Sequence, residues 1–257
     1  MVNNENVNLS YPKEEQKPLA QLHNLFDEWK KEFAADETIT KNNLTEYFVT
    51  DGFYPYYFSQ KVKILFIGRE SRGLSSCDNM KVLFNAYKKK SIGDRHINNS
   101  RFHCRMIYIA YGINNNFPAW KDIPSAETLV DKFGAANGFS FAFMNLSKLS
   151  NEEESYKSNW KHIDASAKAS TAKKNLILEE IKILHPDVIV TMNFEDRLDY
   201  LGQVDFKKKY GNVLTYNLKA QKDFLVIDTY HFSATNKDDI KDYYEPISIA
   251  VRESLKL

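Results

Sequence analysis

Four short apolar runs of the sequence are each followed directly by side chains that could do chemistry. A carboxylate, a carboxamide and an imidazole occur among them, and such groups donate, accept and transfer protons in enzymes. The runs and the segments that follow them are 62–67 before 68–73, 139–144 before Asn145, 188–192 before Asn193, and 224–227 before 228–234. Glu70, Asn145 and His231 are therefore the first candidates for a functional site.

The same runs predict the elements that must position these groups. Their length and apolar character are typical of buried strands, while apolar spacings of three and four predict helices over residues 13–35 and 240–255. A further helix is expected from an N-cap at Asp164 to Leu184, before Pro186. Strands alternating with helices predict an α/β fold, a three-layer α/β/α sandwich around a central, mostly parallel four-stranded sheet. Ligands bind at the carboxyl ends of such strands, so the candidate groups should meet there.

Several familiar kinds of site are not predicted. The segment 68–73 has neither the dinucleotide-binding glycine spacing nor the glycine-lysine-serine/threonine sequence of a phosphate loop. The six histidines form no pair at metalloprotease spacing, and no serine stands in a nucleophile elbow. We therefore expect no metal and no cofactor.

Length and composition indicate the domain organisation and the expected location of the protein. The 257 residues suit one domain, which we expect to span 1–257 with a helical extension over about 1–60. Two cysteines, Cys77 and Cys104, exclude a disulfide scaffold, and we interpret both as structural or incidental thiols. The sequence has no apolar run long enough to span a membrane and no signal-like start, so the expected location is the cytoplasm and the expected state a monomer without membrane contact.

Charge is unevenly distributed along the chain. The net charge is +1, but residues 61–110 carry eleven basic and three acidic side chains, which gives +8 there and −7 elsewhere. A basic segment beside the candidate site is what contact with nucleic-acid phosphates requires. An ordinary solvated lysine face is the alternative, and the lysines at 207–209 are interpreted as a solvated loop.

Four motifs occur in an order and spacing that resemble the uracil-DNA glycosylase superfamily. They cover residues 62–234 and read ILFIGRE at 64–70, FMNLSKL at 143–149, LEEIKILHPDVIV at 178–190 and TYHFSA at 229–234. The chain looks like a divergent member. Having only two cysteines, it falls outside the branches that carry an iron–sulfur cluster.

The resemblance implies a role for each motif residue. Glu70 would position the hydrolytic water or steady the sugar cation, and His231 would hydrogen-bond the uracil oxygen; both would be catalytic. Asn145 would read the uracil edge and Phe102 would stack on the base, with Phe84 as the competing stacker. The remaining substrate-binding residues implied by these loops are Gly68, Arg69, Ser71 and Ser233. Many relatives have proline where this chain has Ser71 and Phe232.

The residue types suit this chemistry. Cleavage of an N-glycosidic bond passes through a cation-like sugar, so a carboxylate near the sugar and a donor to the departing base address the two developing charges. The base must first leave the DNA helix, which requires an aromatic platform and an edge-reading amide. Glu70 and His231 suit the first pair of roles, and Phe102 and Asn145 suit the second.

Each residue also has a simpler interpretation. Glu70 could form a surface ion-pair cluster with Arg69 and Arg72. Asn145 could cap a strand end, His231 could be a buried hydrogen-bonded histidine, and Phe102 could belong to the core.

Three functional hypotheses follow. The first is a glycosylase-like hydrolase of base-excision repair that removes uracil or another deaminated base from DNA, with DNA, single-stranded DNA included, as the partner. The second is a non-catalytic relative that binds nucleic acid or a nucleobase. The third is an α/β protein that acts on a nucleoside-like metabolite.

Overall fold

A computed structural model describes residues 9–154 and 157–257 of the chain. Its centre is a seven-stranded mixed sheet, and a separate two-stranded hairpin lies outside it. The strands are β1 Gly52–Phe53, β2 Ile64–Gly68, β3 Ser91–Ile92, β4 Arg95–His96, β5 Ala142–Asn145, β6 Val188–Met192, β7 Val204–Tyr210, β8 Val213–Leu218 and β9 Phe224–Thr229.

The four predicted strands form the parallel core of the sheet. The strand order is β1-β5-β2-β6-β9-β8-β7, and β5, β2, β6 and β9 pair in parallel. Their side chains are buried on both faces, which explains the near-continuous apolar runs in the sequence. Because neighbours are in register, Gly68 of β2 lies beside Asn145 of β5 and their carboxyl ends share one edge.

The sheet has seven strands rather than the predicted four. The additional strands are antiparallel: β1 pairs with β5 at one edge, and β8 and β7 extend the other. β1 has two residues, too few for a periodic pattern. β7 is an exposed edge strand that contains the lysines at 207–209, so the prediction of a loop there was wrong. Lysines on an exposed edge discourage pairing with other chains.

Helices cover both faces of the sheet. One core contains Phe66 and Val190 with α4 and α8, and the other contains Leu65 and Ile189 with α1, α6 and α7. The helices are α1 Gln16–Ala35, α2 Glu37–Lys41, α3 Asn79–Lys88, α4 Arg101–Asn114, α5 Ala126–Leu129, α6 Trp160–Thr171, α7 Leu176–Leu184 and α8 Glu245–Leu255. This arrangement agrees with the predicted α/β class.

Two helical predictions have different outcomes. The helix expected over residues 13–35 is α1, which packs on the sheet through buried side chains that include Trp29 and Phe33. The part of the predicted extension at residues 1–8 lies outside the described residues. The helix expected from Asp164 is instead two helices, with Asn159 capping α6 and Asn175 capping α7. Asp164 lies inside α6 and pairs with Arg197 at 3.0 Å.

No helix of the described residues is long and apolar enough to cross a membrane.

Candidate active site

A cavity of about 1080 Å³ opens where the parallel strands end. The eight residues that the sequence analysis assigned to catalysis or substrate binding all line it, although their positions in the sequence extend from 68 to 233. They are Gly68, Arg69, Glu70, Ser71, Phe102, Asn145, His231 and Ser233. β2, β5 and β9 supply most of them from their carboxyl ends, and Phe102 comes from the first turn of α4. Asn193, which follows β6, does not line the cavity but accepts a hydrogen bond from Arg69 through its carbonyl, at 3.4 Å.

Backbone hydrogen bonds join the loop that follows β2 to the loop that follows β5. The N–H of Leu146 donates to the carbonyl of Gly68 and that of Ser147 to the carbonyl of Arg69, both at 2.9 Å. The N–H of Asn151 donates to the carbonyl of Ser71, also at 2.9 Å. These bonds continue the pairing of β2 with β5 beyond the strands and hold the two loops together.

Asn145 is buried at the end of β5, and Gly68 makes room for it. A Cβ atom on Gly68 would lie 2.6 Å from Asn145 Oδ1. The backbone N–H of Asn145 donates to Asp51 Oδ2 at 2.7 Å, whereas its side-chain amide bonds no other described residue. The amide is thus available to a ligand, and it does not act as a strand-end cap.

Glu70 is buried and fixed through one of its two carboxylate oxygens. Its side chain is 3% exposed. Oε1 accepts hydrogen bonds from Asn151 Nδ2 at 2.9 Å and the backbone N–H of Asn159 at 3.1 Å, and it lies 3.5 Å from Arg72 Nη2. Oε2 is buried without a partner among the described residues. The expected ion pair with Arg72 is present, but it is not a surface cluster, because the Glu70 carboxylate is enclosed and its Oε2 forms no hydrogen bond within the described residues.

Ser71 has a similar property. Its side chain is buried, and Oγ has no hydrogen-bond partner in the described part of the chain. Two buried polar atoms at one cavity are costly unless something polar occupies it, since an unsatisfied buried group costs about 1–3 kcal/mol.

His231 presents a neutral imidazole with a defined tautomer. Burial, followed by the charges of Arg69 and Arg105, lowers the pKa of His231 to about 4. Nδ1 accepts the N–H of Ser233 at 3.3 Å, so the proton of the neutral ring belongs on Nε2. The ring is half-buried, and it offers a hydrogen-bond donor without carrying a charge.

Phe102 lies beside this imidazole. The ring centroids of Phe102 and His231 are 5.7 Å apart, and Phe102 also meets Phe143 and Phe232 edge to face. Phe102 therefore contacts the core while still lining the cavity. Phe84, the competing stacker, does not line the cavity and packs against Tyr54 instead.

Other residues at the cavity were not assigned to the site from the sequence, although Arg72 and Arg95 belong to the basic segment 61–110 that was expected beside it. Among the described lining residues basic side chains predominate, with Arg72, Arg95 and Lys157 joining Arg69 against the one carboxylate of Glu70. Trp160 lies under the guanidinium of Arg69, at 4.7 Å from ring centroid to Cζ. Arg72 donates a hydrogen bond to the carbonyl of Lys157. Asn151 and Asn159 follow β5 in an irregular segment whose sequence carried no signal for them.

Comparison with protein-family models and with curated proteins gives no match for this chain. The resemblance to the uracil-DNA glycosylase superfamily thus stays a prediction. No cluster of three or more metal-ligating side chains occurs in the described residues 9–154 and 157–257.

Proposed function

We propose that this cavity receives a nucleobase turned out of a DNA strand and that the chain hydrolyses its N-glycosidic bond. Uracil or another deaminated base is the proposed leaving group. One observation carries the proposal: a buried carboxylate with a free oxygen, a neutral imidazole donor, an unpaired amide and an aromatic ring line the same cavity.

The proposed reaction divides the two developing charges between Glu70 and His231. As the bond from C1′ to the base nitrogen breaks, its electron pair leaves with the base, and Nε2–H of His231 stabilises the negative charge on the base oxygen. Glu70 stabilises the positive sugar through Oε2 and orients water toward C1′. Water adds to C1′, its proton passes to Glu70 and then to solvent, and the departed base takes a proton from solvent.

Binding is assigned to the other cavity residues. Phe102 stacks on the base, and the amide of Asn145 bonds its edge with both a donor and an acceptor, as an imide-like edge requires. The three arginines that line the cavity, Arg69, Arg72 and Arg95, are assigned to phosphate oxygens of the strand, because a guanidinium suits a polyanionic substrate.

The decisive experiment is single-turnover release of uracil from a single-stranded oligonucleotide that contains one uracil. Glu70→Gln and His231→Ala should each lower the rate about 10²–10³-fold, and Asn145→Ala should lower release mainly by weakening binding of the oligonucleotide. Glu37→Gln is the matched control, because Glu37 is exposed on α2 and pairs with Lys41. Full activity in all three site variants would refute the assignment. No release by the wild-type chain, together with salt-sensitive binding of the oligonucleotide, would instead favour the non-catalytic relative.

A further inference from the structure

A buried arginine on α4 holds the loop that carries His231. Residues 230–239 form irregular structure, and they contain no proline to restrict the backbone. Arg105 is 2% exposed and reaches this loop from the neighbouring helix. A loop of this kind needs an external tether if one of its side chains is to keep a fixed position.

Arg105 contacts the loop at four points. Its guanidinium donates to the backbone carbonyls of Phe232 at 2.6 Å, Ala234 at 2.9 Å and Lys237 at 3.2 Å, and to Asp239 Oδ1 at 2.7 Å. Only the fixed fork of a guanidinium supplies this number of directed donors. The contacts begin one residue after His231 and continue through most of the loop.

Tyr243 completes the tether. The guanidinium carbon of Arg105 lies 4.1 Å from the centroid of the Tyr243 ring, and the Tyr243 hydroxyl donates to the carbonyl of His231 at 3.0 Å. Phe232 is fully buried between these groups and the sheet, with its ring 5.9 Å from that of Phe66. The backbone from the His231 carbonyl onward is thus fixed, while the imidazole lines the cavity.

We infer that Arg105 is the positioning residue for His231: it acts through the loop and sets where the imidazole donor lies in the cavity. The inference rests on the proposed function. A displacement of about 1 Å in a catalytic group costs up to about a hundredfold in rate, so such a tether has a measurable effect on catalysis.

Arg105→Lys tests this, because lysine keeps the charge but cannot reach three carbonyls and a carboxylate together. We expect kcat for uracil release to fall about ten- to a hundredfold with little change in KM. Tyr243→Phe, which removes only the bond to the His231 carbonyl, should give a smaller loss. Arg252→Lys is the matched control, since Arg252 lies on α8 and contacts Phe117.

A double-mutant cycle separates positioning from a general loss of structure. If Arg105 acts through His231, Arg105→Lys should have almost no further effect on kcat in a His231→Ala background. Equal losses in both backgrounds would overturn the inference.

The imidazole can also be observed without any substrate. In NMR titrations of the free protein, the pKa of His231 should rise from about 4 toward its ordinary value in Arg105→Lys, because a displaced loop loses the burial that lowers it. An unchanged pKa would overturn the inference. This readout holds even if the wild-type chain releases no base, so failure of the proposed function and failure of the tether are distinguishable.

Discussion

At the residue scale, Gly68 is a position where the site leaves no room for a side chain. It has an ordinary backbone conformation, so the need for glycine here comes from its neighbours rather than from its φ angle. A methyl group would lie 2.6 Å from Asn145 Oδ1 and 3.0 Å from Phe143 Cζ. Gly68 therefore determines where the amide of Asn145 points.

Gly68→Ala should displace this amide and weaken substrate binding. We expect KM for a uracil-containing oligonucleotide to rise about 5- to 150-fold, which corresponds to the loss of one or two hydrogen bonds at about 1–3 kcal/mol in total. Gly211→Ala is a matched control: Gly211 has φ +60° in the β7–β8 turn, with no atom near its Cβ position. That control should lose stability while KM stays unchanged. An unaltered KM in Gly68→Ala would contradict the role given to Asn145.

At the element scale, most of what could be predicted follows from the rule that ligands bind at the carboxyl ends of parallel strands. The four parallel strands were visible as apolar runs, and their shared carboxyl edge brought Glu70, Asn145 and His231 together. β1 and the β3–β4 hairpin are too short to leave a pattern. The bonds that fix Glu70 come from Asn151 and Asn159, which are 81 and 89 residues away along the chain. Pairings of that separation depend on loop geometry, which no local pattern encodes.

The pattern of apolar and polar residues in the sequence also fails to predict a cluster of buried charged side chains next to Asn145. Lys148 is fully buried, with Nζ 2.5 Å from Asp51 Oδ1 and 2.7 Å from Glu180 Oε2. Asp51 in turn accepts the N–H of Asn145, so the cluster supports the end of β5. Burial raises the pKa of Glu180 well above its usual range, which Lys148 opposes and Asp51 reinforces. Its protonated form is therefore favoured by folding.

This cluster makes a prediction about stability and pH. A carboxyl whose pKa is raised by folding stabilises the folded state fully below its unfolded pKa of about 4.3, and that stabilisation is lost as pH rises toward the folded pKa. As the pH rises above about 4.3, the free energy of unfolding should thus fall faster for the wild type than for Glu180→Gln, by at most about 1.4 kcal/mol per pH unit, until the folded pKa is passed. Denaturant unfolding from about pH 5 upward measures this difference.

Glu179→Gln is the control for this comparison, because Glu179 is the adjacent residue of α7 but is partly exposed and paired with Lys182. It should keep the wild-type pH dependence. Parallel wild-type and Glu180→Gln curves would show that Glu180 is ionised in the folded state.

At the scale of the whole molecule, the net charge of +1 conceals an asymmetry. Much of the basic segment 61–110 is used internally: Lys63 pairs with Asp187, Lys90 pairs with Asp131, and Lys88 donates to backbone carbonyls. The fold nevertheless leaves Arg69, Arg72 and Arg95 at the cavity. Total charge thus says less about the partner than the position of a few side chains does.

Arg95 is the clearest test of this asymmetry. It lies on β4 of the hairpin, is exposed, lines the cavity, and has no ion-pair partner in the described part of the chain. If it contacts a phosphate, Arg95→Gln should weaken binding of a single-stranded oligonucleotide and reduce the slope of log K against log salt by about 0.7. The rate of uracil release at saturating protein should not change, because a phosphate contact positions the strand without touching the base.

Lys209→Gln is the matched control for Arg95→Gln. It changes the net charge of the protein by the same amount, but Lys209 lies on β7, the strand at the far edge of the sheet. Binding at several salt concentrations, measured by fluorescence anisotropy, compares the two variants directly. A reduced slope in Arg95→Gln alone indicates a local phosphate contact at the cavity. Equal slopes in the two variants would mean that binding depends only on the overall charge of the protein. The proposed contact between Arg95 at the cavity and a phosphate of the strand would then be refuted.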